Sequence, residues 1–195
     1  MMGRAIIGGV AAAVGMVILG FVFFASGLQK TVTSGLEDMP AAAVQQTLAA
    51  NLPGTGTYVV PDPEASSSQT VMYGQGPIAT IHYNISGFPA MDSGALLGGF
   101  IHMLIVALLM AAALYFLSRH VASFAERTKI LVIAVLAATI FMRLGEPIWY
   151  HHGWGHAIYL FVADTISLLV AGVIILKLLP AAVYRGAGNG APTDV

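Results

Sequence analysis

The chain has 195 residues, 57% of them hydrophobic and 9% charged, where soluble domains carry roughly 45–50% apolar and about 25% charged residues. A water-soluble globule is excluded, and so is intrinsic disorder, which requires low hydrophobicity and high net charge. Eight Lys and Arg against nine Asp and Glu give a net charge of -1, so there is no basic field to attract phosphates and no nucleic-acid partner is expected. The chain has no cysteine, which removes disulfides, thiolate metal sites and cysteine nucleophiles.

A membrane-crossing helix needs roughly 20 mostly apolar residues, because it rises about 1.5 Å per residue through about 30 Å of hydrocarbon. Four stretches qualify: Ala5 to Ala25, Ala95 to Leu117, Ile130 to Leu144 running on toward Ile148, and Ala157 to Leu179. The first follows Met1-Met2-Gly3-Arg4. Its apolar run exceeds the roughly 7–15 residues of a secretory core, which predicts a retained anchor rather than a cleaved signal peptide. With the N-terminus inside, Arg4, Arg119, Arg127, Lys129, Lys177 and Arg185 lie on the cytoplasmic side, and only Lys30 and Arg143 of the eight basic residues fall outside. The positive-inside rule therefore predicts cytoplasmic termini.

Between the first two spans lies an insertion, 26–94. Pro40 to Leu52 (PAAAVQQTLAANL) pairs helix formers and helically spaced apolar residues with a Pro53-Gly54 stop, predicting a short helix. Thr57 to Val60 and Ile78 to Ile85 read as strands, while Pro63 to Gln69 reads as a loop and Gly74 to Pro77 as a turn. A hairpin this small is marginal alone, so it is expected to lean on the helices, the bilayer surface or another protein. The stretch 180–195 is rich in Gly, Ala and Pro and reads as a flexible cytoplasmic tail. The expected fold is thus an all-α membrane protein: span one in 1–25, a small α+β extracytoplasmic insertion in 26–94, and spans two to four in 95–179.

The run Gly56-Thr57-Tyr58-Val59-Val60-Pro61, the run Gly76-Pro77 through Tyr83, and Gly98-Gly99-Phe100 resemble a group of small bacterial inner-membrane proteins of unknown function. That group has G-x-Y-x-x-P and G-P-x-x-x-x-x-Y elements and four apolar spans. The resemblance implies a bacterial inner-membrane location and carries no activity. Before span four this chain is His-rich where the group has Trp and Pro.

The densest polar constellation is Arg143, Glu146, Tyr150, His151, His152 and His156 (RLGEPIWYHHGWGH). Imidazoles and a carboxylate are ligand types for a divalent metal, with His151, His152, His156 and Glu146 as the candidate set. The same loop also reads as an interfacial belt of Trp149, Tyr150, Trp154 and Tyr159 with wet histidines beside it. Gly153 and Gly155 argue against one helix carrying both His152 and His156. Pro147 is expected to bend or end span three.

Within the membrane, His102 and Asp164 are the ionisable groups that should face the bundle interior. They could form a structural polar pair or a proton relay. His102 and His156 could also ligate haem b across the bundle. Arg143 and Glu146, three apart, have the spacing of an ion pair on one helical face. Small residues at Gly8 and Ala12, Ala11 and Gly15, and Gly94 and Gly98 allow close helix approach, either inside the bundle or onto a partner. His120 reads as a solvated loop residue.

The functional expectation is a non-catalytic accessory or scaffold subunit docking onto a larger inner-membrane assembly, with the lipid bilayer and a membrane-protein partner or second copy as its contacts. The alternative is a haem- or metal-binding, or proton-relay, protein using the outer histidines.

Overall fold

The computed structural model describes residues 2–179; the predicted tail, 180–195, lies outside the described residues. Two compact units emerge among the described residues, one of residues 2–34 with 93–179 and the other Gly35–Asp92.

The first unit is a bundle of four helices, each long and apolar enough to cross a membrane: Met2–Ala25, Ser93–Ser118, Phe124–Trp149 and Trp154–Leu178. At 24 to 26 residues they measure about 36–39 Å, enough for about 30 Å of hydrocarbon. The chain is therefore a multi-pass membrane protein. Helix α1 (Met2–Gly20) buries Ala5, Gly8, Gly9, Ala12, Ala13 and Met16, a small-residue face at i, i+3, i+4 and i+7 spacing. That face lies between α4 (Ser93–Ser118) and α7 (Trp154–Leu178), while α5 (Phe124–Thr139) packs on α7.

Without a hydrophobic drive between helices in lipid, close approach and dispersion hold such a bundle together. A Cβ added at Gly9 would stand 2.9 Å from Leu108 Cδ2, and one at Gly172 would stand 2.4 Å from Leu131 Cδ2. Glycine is what lets α1 reach α4 and α7 reach α5. Gly8 and Gly15 likewise face Ile175 and Ile174, so these two glycines serve packing inside the bundle. At Gly98, by contrast, an added Cβ meets nothing within 4 Å.

Two spans contain a π-helical turn at the end of the bundle from which the insertion departs: Phe21–Ala25 after α1, and Ile140–Leu144 between α5 and α6 (Gly145–Trp149). Pro147 cannot donate to the carbonyl of Arg143, and its ring crowds it. A widened turn just upstream relieves that conflict. Pro147 thus sits in a continued helix that ends two residues later, at Trp149.

At the opposite end, α5 starts with a serine N-cap. The Ser123 side chain accepts from the Glu126 N–H at 3.4 Å, and Glu126 lies in the first turn.

The second unit holds α2 (Asp38–Asn51), β1 (Gly56–Val60), α3 (Ser67–Gln75) and β2 (Ala79–Tyr83). The strands pair antiparallel from Gly56 with Tyr83 to Val60 with Ala79. β2 falls within its predicted segment and β1 begins one residue before its own, at Gly56, but their connection is not a simple loop and turn. The polar run read as a loop instead starts helix α3, because Ser66 caps it by accepting from the Gln69 N–H at 3.2 Å. Gly76, at φ 70, ends that helix in a left-handed conformation suited to glycine.

Side-chain bonds tie the unit together: the Tyr58 hydroxyl donates to the Gly54 carbonyl at 2.7 Å, and the Asp62 N–H donates to Gln69 Oε1 at 2.9 Å. No residue from Gly35 to Asp92 is buried.

Candidate functional site

Three elements at the insertion end of the bundle position the polar side chains: the π-helical turn of span one, the π-helical turn of span three, and the first three turns of α7. Asp164 of α7 accepts from Arg143, the last-but-one residue of the span-three π turn, with Nε to Oδ2 at 2.6 Å. Each side chain keeps about a third of its surface uncovered by protein, 29% and 30%. One turn deeper on span three, the Thr139 and Thr165 hydroxyls bond each other at 2.9 Å, and Thr139 also donates to the Val135 carbonyl. Nearer the start of α7, the Tyr159 hydroxyl donates to the Phe23 carbonyl in the span-one π turn. Its ring meets Phe23 and Phe24 edge to face at 6.2 Å. The two widened turns thus hand α7 one guanidinium and one accepting carbonyl, which fits the tendency of π turns to mark polar sites.

This arrangement corrects several sequence expectations. Arg143 pairs with Asp164, not with Glu146. The π turn changes the angular register before Glu146, and Asp164 stands across the interface between sequential antiparallel helices. Asp164 consequently does not pair with His102.

His102 lies on the uncovered face of α4, away from the bundle interior. The predicted haem pair of His102 and His156 is therefore not assembled across the bundle, because α4 turns its small residues Ala107 and Ala111 inward instead. His156 is half-buried, with Nδ1 shielded and without a hydrogen-bond partner among the described residues. His151 and His152 lie before α7 begins, with Gly153 as its N-cap. His151 adopts φ 54, and His152 stacks on Tyr150 at 5.6 Å. Glu146 belongs to α6.

Among the described residues no three His, Asp or Glu side chains gather as a metal-holding group, so the proposed set His151, His152, His156 and Glu146 does not converge. The reason is the backbone, which reverses direction through the histidines instead of carrying them on one helix. Trp149, Tyr150 and Trp154 are exposed, as an interfacial belt requires; Tyr159 leaves that belt to bond span one.

One buried charge escaped sequence reasoning. Arg127, expected among the charges on the cytoplasmic side, is 2% exposed. Its Nη1 donates to Ser118 Oγ at 2.9 Å, its Nη2 to the Ala122 carbonyl at 3.4 Å and its Nε to the Ser123 carbonyl at 3.5 Å. It places positive charge at the C-terminus of α4, where unpaired carbonyls concentrate negative potential. His120, exposed as expected, bonds the Phe116 carbonyl at 3.0 Å through Nδ1.

No family model, curated protein or solved structure matches the chain. Fold and site together define the class: a four-span membrane protein with an Arg–Asp pair joining spans three and four and an insertion between spans one and two.

Proposed function

We propose that the protein is a non-catalytic accessory or scaffold subunit that docks onto a larger assembly through the insertion between spans one and two. One observation carries this reading. In a unit of 58 residues, Gly35–Asp92, no side chain is buried, while Leu36, Met39, Val71, Ile85, Phe88 and Met91 stand exposed, Met91 at 78%. Small units are marginal even with a core, and one that buries none of its apolar side chains is stabilised when another surface covers them. The Arg143–Asp164 pair supports the same reading, since two opposite charges that neutralise each other cement a bundle without needing a substrate.

The resemblance of the G-x-Y-x-x-P and G-P-x-x-x-x-x-Y elements supports a bacterial inner-membrane location. The distribution of Lys and Arg supports an orientation with both termini in the cytoplasm and the insertion outside.

Purification from native membranes in mild detergent is expected to yield a second polypeptide in stoichiometric amount. Ser86→Cys, in this cysteine-free chain, is expected to react with an impermeant maleimide from the outside, and Arg119→Cys only after permeabilisation. Elution of the chain without a companion contradicts docking, and the reverse labelling pattern contradicts the orientation.

A second reading, as a haem- or metal-binding or proton-relay protein, is favoured by the shielded, unpartnered Nδ1 of His156, since such a nitrogen ordinarily has a water or a ligand. On that reading the purified protein carries a Soret band or bound metal that His156→Ala abolishes without loss of fold. A colourless, metal-free protein identical to His156→Ala removes it.

A further inference from the structure

We propose that the protein self-associates in the membrane through the uncovered face of α4, with His102 of one copy hydrogen-bonded to His102 of a second. Helix α4 meets the bundle through Ala107, Ala111, Leu114 and Ser118. Its opposite face carries Gly98, His102, Ile105, Leu109, Ala112 and Phe116, all exposed and spaced 4, 3, 4, 3 and 4 residues apart. That 3.5-residue rhythm is the seam of a left-handed helix pair. One turn from the histidine, an added Cβ at Gly98 would meet nothing within 4 Å, so a second backbone can come close there.

The histidine selects the occupant. A helix of 26 residues is about 39 Å long against about 30 Å of hydrocarbon. His102, nine residues after Ser93 and so about 14 Å along the helix, lies inside the hydrocarbon. No described residue bonds its ring, and lipid tails offer neither donor nor acceptor. A neutral imidazole has one of each. A second copy inserts with the same orientation, so a two-fold axis along the membrane normal sets α4 beside α4 in parallel and His102 opposite His102 at equal depth. The N–H of one ring then donates to the bare nitrogen of the other, and Ile105 and Leu109 pack beneath them. Such an interface is closed and self-complementary. A different protein would need its own polar group at that depth; a second copy supplies it by symmetry. The inference is independent of what the insertion binds.

The absence of cysteine makes single-cysteine cross-linking in native membranes clean. Ile105→Cys, Leu109→Cys and Phe116→Cys are expected to give oxidative dimers of twice the chain mass. Ile133→Cys, 68% exposed on α5, reports random collision and should give several-fold less. Adding His102→Leu to Leu109→Cys should lower the dimer yield by about three- to thirtyfold, the range of polar contacts between membrane helices. His102→Gln, whose amide also donates and accepts, should restore it. Leucine facing lipid does not unfold the monomer, so a loss of dimer reads the interface itself. Seam cross-linking no stronger than at Ile133→Cys, adducts to a different protein, or a dimer indifferent to His102→Leu each overturns the proposal.

Discussion

Replacing Arg143 with Met is expected to destabilise the folded bundle by at most about 2.5–3.5 kcal/mol, the cost of an uncompensated charge at the centre of a membrane helix. The substitution leaves the Asp164 carboxylate without the donor that now stands 2.6 Å away. Asp164→Leu is expected to act alike by stranding the guanidinium, and to cost less wherever the longer Arg side chain can reach toward the interface. The double variant Arg143→Met/Asp164→Leu should recover most of the loss, because two apolar side chains of similar size replace a pair whose attraction largely offsets its own desolvation. Unfolding in mixed micelles measures all four members of the cycle. A double variant as unstable as the sum of the singles would mean that the two charges act independently.

The second large effect lies at the other end of the bundle. Arg127→Ala should lower stability by about 1.5–3 kcal/mol, the range for hydrogen bonds to a charged group, since it removes three bonds to the turn between α4 and α5. Arg127→Lys should restore only part of this, because an ammonium cannot span Ser118 Oγ and two carbonyls with a planar fork. Unfolding in the same micelles gives the stability, and hydrogen exchange across residues 118–127 reports the turn directly. Exchange and stability unchanged in Arg127→Ala would show that the buried guanidinium contributes nothing there.

Both effects rest on partners that spacing alone does not reveal. The four spans were legible because length and hydropathy alone decide what crosses about 30 Å of hydrocarbon, and α2 was legible from its Pro-led, alanine-rich pattern. Helix α3 was hidden because its first turn is serine-rich, and only the Ser66 cap bond turns that polarity into a helix start. The Arg143–Asp164 pair left a partial signal: opposite charges near the same end of two spans joined by a short loop. Choosing Asp164 over Glu146 required the π turn at Ile140–Leu144, which no residue pattern announces. The burial of Arg127 was hidden for a related reason. Positive-inside counting treats a basic residue as a topological marker, whereas α5 begins at Phe124 and carries Arg127 back beneath the end of α4. His102 was assigned to the interior by the rule that intramembrane ionisable groups avoid lipid. In the bundle the interior of α4 is taken by alanines, and the histidine stands on the open face.

The docking role proposed for the insertion sets a partner against its exposed apolar side chains. A photoreactive side chain at Phe88 or Met91, 70% and 78% exposed, tests it in the native membrane, with the same probe at Ile133 on α5 as the lipid-facing reference. The account predicts that both insertion positions cross-link to the same polypeptide, one that also co-purifies stoichiometrically, and that Ile133 does not. Probes at Phe88 and Met91 that capture only lipid or water would contradict it.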